Sequence, residues 1–287
     1  MNNELQEITK ICNLKYKENQ SIMEFNWFLD MFKGDLKLRL IENNKFYKWL
    51  IEEINYLKKS EENPVVGVNI YRSRIISEDV LGSQAKGISI SNLNGYDYYN
   101  SKEPPLGVTA NGRCNIQGIS YFYGADNEYT SLVEVRPKIL DFVSIATFIV
   151  DQPLRIADLT KIRKTNKIFY TKLLDIFRSV NPDEDFYRIS QYVSEQFRRY
   201  GFDGIKYISS LSNGSNYAIF NCTSDNLKFK DSRIIRLCQV EYSFADLKNQ
   251  KEIQKKLKNG LTDKSFYEAK KHMQKLVKLY EKEKYNG

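Results

Sequence analysis

The chain has 287 residues, 41% of them hydrophobic and 28% charged, with a formal net charge of +8. This composition is typical of a globular protein and excludes a disordered or fibrous one. No apolar run approaches the roughly 18 residues that a membrane span requires. The polar start of the sequence also lacks the apolar stretch of a signal peptide. We therefore expect a cytoplasmic protein with no membrane partner.

Cysteine and histidine are sparse, with four scattered cysteines and a single histidine, His272. A zinc site needs Cys and His ligands clustered at short spacing, so we expect no bound metal. The single histidine argues against Ser–His and Cys–His nucleophile pairs, and glycine-rich nucleotide loops are absent from the sequence. The lysines are scattered over helix faces rather than gathered in one groove. We therefore do not expect nucleic acid to be the partner.

The first part of the chain predicts helices. Ser21 and Glu24 fit a capping box that would open a short helix with an apolar face, and a second apolar stripe follows between Leu36 and Leu57. The polar run 58–63 and the proline after it break the pattern. We assign residues 1–63 to a helical N-terminal extension.

From Val65 onward the pattern changes to short strand-like runs separated by turns. The predicted strands cover 65–71, 119–123, 142–150, 154–157, 204–208 and 216–221, and helical patterns lie around 127–135, 165–180 and 186–200. Strands and helices mixed without strict alternation predict an α+β fold. The last segment, 241–287, is again helical in pattern, and we expect it to pack on the core as a C-terminal extension.

Two clusters of residues are candidates for chemistry. The first places Arg113 on a glycine-flanked turn, Tyr123 at the end of an apolar strand and Glu134 inside an apolar helix. A carboxylate among apolar neighbours is costly unless it is paired, so an internal salt bridge to an arginine is one interpretation of Glu134. The second cluster surrounds Ser209 and Ser210 next to a polar turn, and turn formation alone would explain those serines.

Three motifs occur in one order along these clusters. They are an Arg-x-Asn followed by Gly-Ile-Ser-Tyr-x-Tyr, then Glu-Val-Arg-Pro, and then Gly-Phe-Asp-Gly-Ile-Lys-Tyr-x-Ser. Together they resemble the RES family, which is named for arginine, glutamate and serine and includes NAD-degrading toxins of bacterial toxin–antitoxin systems. The resemblance assigns residues 64–240 to a RES-type domain. It implies a split, mostly antiparallel sheet like that of ADP-ribosyltransferase toxins.

The resemblance also implies roles for individual residues. It makes Arg113, Glu134 and Ser209 catalytic, with Ser210 as the alternative to Ser209. The residues that it places around the bound substrate are Arg72, Tyr123, Asn115, Tyr121 and Asn216. Two departures from the family pattern are Cys114, where an aromatic residue is common, and Ile208, where proline is frequent.

The reaction implied by the resemblance is cleavage of the nicotinamide–ribose bond of NAD, which is a substrate here and not a cofactor. Inorganic phosphate as the second substrate would make the protein an NAD phosphorylase that acts as a toxin or defence effector. Water would make it a glycohydrolase, and a macromolecular acceptor would make it an ADP-ribosyltransferase. A binding protein for ADP-ribose or RNA is the alternative from another class. An antitoxin or regulatory protein and a second copy of the chain are the further partners to consider.

Overall fold

The computed structural model describes residues 2–33, 41–60, 64–77, 82, 94–178 and 184–240, without the side chains of 2–13 and 184–186. The helices are α1 Asn2–Asp30, α2 Lys45–Lys59, α3 Tyr98–Ser101, α4 Glu128–Glu134, α5 Lys167–Arg178 and α6 Glu184–Arg199. The strands are β1 Asn69–Ile75, β2 Phe122–Ala125, β3 Phe142–Val150, β4 Ile156–Asp158, β5 Gly204–Ile208, β6 Ser215–Ile219 and β7 Leu227–Arg236. The predicted C-terminal helices at 241–287, with His272, lie outside the described residues.

These strands form one sheet in the order β4-β5-β6-β2-β1-β3-β7. Neighbouring strands are antiparallel, except for β4 and β5, which are parallel. The predicted α+β class and the mostly antiparallel sheet are confirmed. At the centre of the sheet, β1 and β2 are paired only through Tyr71 and Ala125. The sheet therefore consists of two halves that are joined at one point.

Helices α1, α2, α5 and α6 pack on one face of the sheet, and the N-terminal helices α1 and α2 belong to the same core as α5 and α6. Phe46 of α2 packs edge-on against Phe169 of α5, with ring centroids 5.2 Å apart. Phe28 of α1 lies 6.4 Å from the ring of Tyr192 in α6. Aromatic pairs at such distances add to the stabilisation from area burial. The chain up to Gln239 accordingly forms one compact unit, although the polar run does end α2 near the predicted position.

The predicted capping box at Ser21 is wrong, because α1 runs through it without interruption. The Ser21 hydroxyl donates to the carbonyl of Lys17, one turn earlier, at 3.1 Å. A serine hydroxyl that bonds back in this way is compatible with a helix interior. The apolar residues that follow Ser21 therefore extend an existing helix.

Strand β7 was not predicted, and β1 begins later than expected. Strand β7 is an edge strand whose outer residues include Lys228 and Lys230, and charged side chains of this kind hide the apolar alternation. Val65, the predicted start of the first strand, instead forms an isolated bridge to Leu154. In the described residues, no helix combines the length and the apolarity needed to cross a membrane.

Candidate functional site

A cleft of about 580 Å³ opens where the two halves of the sheet part. One wall is formed by the second half of β1, and the other by β2 together with residues from β5 and β6. The last turn of α4 completes the lining. The polar residues of the lining are Arg72, Ser73, Arg74, Tyr123, Ser131, Glu134, Tyr207 and Asn216.

Gly124 allows β1 and β2 to meet at the point where the halves join. A side-chain carbon at this position would overlap the side chain of Ile70 and approach the carbonyl oxygen of Tyr71 to 3.0 Å. Both atoms belong to the paired strand and have little room to move. A glycine is therefore required for the close approach, which sets the geometry of the cleft.

The Glu134 carboxylate is held in the cleft by two neutral donors. Its Oε1 accepts a hydrogen bond from Ser209 Oγ at 2.7 Å and another from Asn216 Nδ2 at 2.6 Å. Ser209 is only 1% exposed, and its hydroxyl also accepts from the backbone N–H of Leu211 at 3.0 Å. Among the described residues, no donor is bonded to Oε2. One oxygen of an oriented carboxylate is thus left for a ligand.

Helix α4, which carries Glu134, is fastened to the strands around it. Asn127 caps its first turn by accepting from the N–H of Thr130 at 2.8 Å, and the Thr130 hydroxyl lies 2.8 Å from that of Ser212. On its other side, Ser131 and Ser73 of β1 share a hydrogen bond of 2.7 Å. These bonds fix the helix to both halves of the sheet, so Glu134 is held at the point where the halves diverge.

Arg72 supplies positive charge to the opposite wall. Its guanidinium donates to the carbonyl of Tyr123 and lies 5.2 Å from the ring centre of Phe122. Burial, assisted by repulsion from Arg74, lowers the pKa of Arg72 to about 10, so the group is still charged at neutral pH. Its Nε is buried and has no acceptor among the described residues. Arg72 therefore brings a permanent positive charge to the lining of the cleft.

Tyr123 and Asn115 form a hydrogen-bonded pair that shapes the preceding loop. The Tyr123 hydroxyl donates to Asn115 Oδ1 at 2.7 Å and accepts from the N–H of Cys114 at 2.9 Å. The Asn115 amide donates to three loop carbonyls, those of Ala110, Ile116 and Ile119. Asn115 is 2% exposed. Its polar atoms are engaged within the loop, and its contact with substrate stays a prediction.

Arg113 and Tyr121 do not line the cleft. Arg113 donates to the carbonyl of Ile176 at 3.4 Å, near the C-terminal end of α5, where the helix dipole favours a cation. Tyr121 is 6% exposed, and its ring packs 4.9 Å from that of Phe220 in the core. Arg113 and Glu134 both lie close enough to Tyr207, which lines the cleft, to influence the pKa of its hydroxyl, and the convergence of the two residues stays a prediction. The substrate contact of Tyr121 likewise stays a prediction, and in the structure its ring packs in the core.

Arg74 and Tyr207 are among the cleft residues that the sequence reasoning missed. Arg74 follows Arg72 by two positions in β1 and therefore lies on the same face of the strand. Tyr207, at the end of β5, likewise lies two positions from Ser209. Side chains alternate between the two faces of a strand, so residues two positions apart share a face. This alternation could have identified both residues from the sequence. Within the described residues, no group of three or more His, Cys, Asp and Glu side chains is arranged to hold a metal ion.

Removing the hydroxyl of Tyr123 tests whether it holds the loop. Tyr123→Phe leaves the Cys114 N–H and Asn115 Oδ1 unpaired at buried positions, and we expect the free energy of unfolding to fall by about 1–3 kcal/mol. Urea denaturation measures this difference. Tyr129→Phe is the control, because Tyr129 is 67% exposed and should change stability by less than about 0.5 kcal/mol. Equal effects of the two substitutions would show that the hydroxyl is dispensable to the loop.

Comparisons with known proteins bear on this site. The family model described as RES domain matches residues 96–243, more than half of the chain, and this range includes Arg113, Glu134 and Ser209. Among solved structures, the chain is similar to one in the crystal structure of the M. tuberculosis MbcT–MbcA toxin–antitoxin complex. That match has a TM-score of 0.36 and 14% sequence identity, and covers 67% of this chain and 93% of the other. No curated protein matches the chain.

Proposed function

The chain belongs to the family of RES-domain proteins, and on this premise we propose that it is an enzyme that degrades NAD by cleaving the nicotinamide–ribose bond. The observation that carries the proposal is the oriented Glu134 carboxylate, with one oxygen left for a ligand, in a cleft whose other wall is cationic. A cleft of about 580 Å³ lies within the range of small-molecule sites.

The chemistry of NAD fits a site that is built around a carboxylate and whose lining, in the described part of the chain, contains no histidine. The nicotinamide ring already carries a positive charge, so it takes the bonding electron pair and leaves as a neutral molecule without protonation. Positive charge then develops on the ribose, as in glycoside hydrolysis. Glu134 Oε2 would stabilise that charge, while Ser209 and Asn216 hold the carboxylate so that it need not reorganise during the reaction.

The cationic wall favours inorganic phosphate as the acceptor. Arg72 and Arg74 both line the cleft, and the Arg74 guanidinium also donates to the carbonyl of Lys102 at 2.6 Å. A phosphate oxygen would attack the ribose carbon as the bond to nicotinamide breaks, giving ADP-ribose-1″-phosphate. The same arginines suit the pyrophosphate of NAD, since guanidinium groups bind phosphate oxygens through paired donors.

We further propose that NAD loss is the biological output, which makes the protein a toxin or defence effector of the kind known in the RES family. An enzyme that destroys a central cofactor harms its own host unless it is restrained. An antitoxin or regulatory protein is therefore the partner that this function requires.

Proton and phosphorus NMR of NAD consumption, with and without inorganic phosphate, tests the proposal. Nicotinamide and ADP-ribose-1″-phosphate that form only when phosphate is present would identify a phosphorylase. Free ADP-ribose in both samples would identify a glycohydrolase and contradict the assigned acceptor. Unchanged NAD under all conditions, combined with tight binding of ADP-ribose, would replace the enzyme by a binding protein.

A further inference from the structure

Tyr207 is a polar residue of the cleft lining that takes no part in the reaction as proposed. It lies directly opposite Asn216 in the paired strands β5 and β6, and side chains of opposed residues share a face of the sheet. Asn216 and Ser209 both donate to Oε1 of Glu134. Tyr207 therefore lies beside the two residues that hold this carboxylate.

The ring of Tyr207 is held by packing, which gives its hydroxyl a defined position. Tyr207 is 5% exposed, and its ring packs against that of Phe177 in α5, with centroids 5.4 Å apart. Burial is the main reason that the pKa of Tyr207 lies well above the usual value for tyrosine, and the nearby Glu134 carboxylate raises it further. The phenol therefore keeps its proton and presents a neutral O–H group.

The hydroxyl of Tyr207 has no hydrogen-bond partner among the described residues. It also differs from the unpartnered side-chain atoms that are sealed inside the described part of the chain, which are Trp49 Nε1, Arg72 Nε and Glu103 Oε2. Those atoms have no accessible surface, whereas Tyr207 belongs to the lining of the cleft. An unpaired hydroxyl in a largely buried position is unfavourable. Its acceptor therefore has to come from the cleft, as water or as an atom of the substrate.

Tyr207 and Glu134 together offer a ligand one hydrogen-bond donor and one acceptor. Glu134 Oε2 accepts no hydrogen bond from the described residues, and the Tyr207 hydroxyl donates none to them. A sugar hydroxyl matches such a pair, because its oxygen can accept from the phenol while its proton is donated to the carboxylate. A phosphate oxygen matches it poorly, since it only accepts hydrogen bonds and is repelled by the carboxylate. The pair therefore favours a hydroxyl group of the substrate.

The function proposed for the cleft identifies which hydroxyl this is, and the inference rests on that function. Glu134 Oε2 would lie beside the ribose carbon that loses nicotinamide, and the nearest group of the substrate able to donate to it is the 2-hydroxyl on the neighbouring carbon. We propose that Tyr207 is a substrate-binding residue that donates to this hydroxyl while the hydroxyl donates to Glu134. The pair would make the enzyme specific for a ribose that carries its 2-hydroxyl.

Tyr207→Phe tests the contact when it is assayed with NAD and with an NAD analogue that lacks the 2-hydroxyl of the nicotinamide-bearing ribose. Phenylalanine keeps the ring that packs on Phe177 and removes only the hydroxyl. We expect kcat/KM for nicotinamide release from NAD to fall by at least about tenfold, as for the loss of one hydrogen bond to the substrate. The value for the analogue should change by less than about twofold, because the partner of the phenol is already missing.

Tyr217→Phe is the matched control, because Tyr217 is a buried tyrosine of the neighbouring strand β6 that lies outside the cleft lining. Both substrates should be cleaved by this variant within about twofold of the unmodified protein. If Tyr207→Phe slowed both substrates equally, or neither, the hydroxyl would not bind the 2-hydroxyl and the proposal would be overturned. No nicotinamide release by the unmodified protein would instead remove the proposed function, and this inference with it.

Discussion

Glu134→Gln should lower the rate of nicotinamide release from NAD by at least about 100-fold, a typical cost of losing one electrostatic contact to a transition state. Glutamine keeps the oxygen that accepts from Ser209 and Asn216, so the helix and both strands remain in place. What changes is the group left for the ligand, which becomes a neutral amide. The charge that would stabilise the ribose cation is lost while the surrounding geometry is kept.

Glu128→Gln is the matched control, because Glu128 lies in the first turn of the same helix. Its carboxylate is bonded to Arg233 at a partly exposed position outside the cleft. We expect NAD turnover within about twofold of the unmodified protein, since isolated surface ion pairs contribute little. Steady-state kinetics of nicotinamide release, with circular dichroism to check folding, measure both variants. Similar turnover in the two would remove Glu134 from the proposed reaction.

The sequence predicts an element well where a single property, such as a run of apolar and β-branched residues, favours one structure. The run 142–150 is apolar and β-branched, and it forms a strand with those bounds because nearly all its residues are buried between neighbouring strands and helices. Glu134 was singled out because an acidic residue among apolar neighbours requires partners. The structure supplies Ser209 and Asn216 as those partners, and neither is the arginine that a salt bridge would require.

The path of the loop that carries Arg113 shows where prediction from the sequence reaches its limit. Arg113 sits on a loop whose path depends on long-range bonds, such as those from Gln191 of α6 to the carbonyls of Gly112 and Asn115. No local pattern predicts where such a loop directs a side chain. Arg72 instead lies in a strand, and its direction follows once the partner strands are known. The residues on regular elements were therefore more predictable than those on the loop.

The boundary of the N-terminal extension illustrates a second limit. The polar run after α2 marks the end of a helix, and the same pattern is produced by a linker between domains and by a surface turn within one domain. Which of these applies depends on whether the apolar face of α2 packs only against other N-terminal helices or against the rest of the protein. That information comes from tertiary contacts, and Glu53 provides the clearest example.

Arg163→Ala should reduce the free energy of unfolding by about 3 kcal/mol, because it removes the charge partner of a fully buried carboxylate. Glu53 of α2 is 0% exposed and accepts from Arg163 Nη2 at 3.1 Å and from the Arg163 backbone N–H, also at 3.1 Å. Thr165 contributes a longer bond of 3.4 Å. These contacts join α2 to the turn between β4 and α5, so their loss should loosen the N-terminal helices.

Two comparisons separate this effect from the loss of an ordinary ion pair. Arg198→Ala breaks an exposed pair with Glu195 and should cost less than about 1 kcal/mol. Combining Arg163→Ala with Glu53→Met should restore part of the stability, since no unpaired charge then remains in the core. Urea denaturation of the single and double variants measures both differences. If the double variant were less stable than Arg163→Ala, an unpaired buried carboxylate would not be the cause of the loss, and the link between α2 and the sheet would have to depend on packing alone.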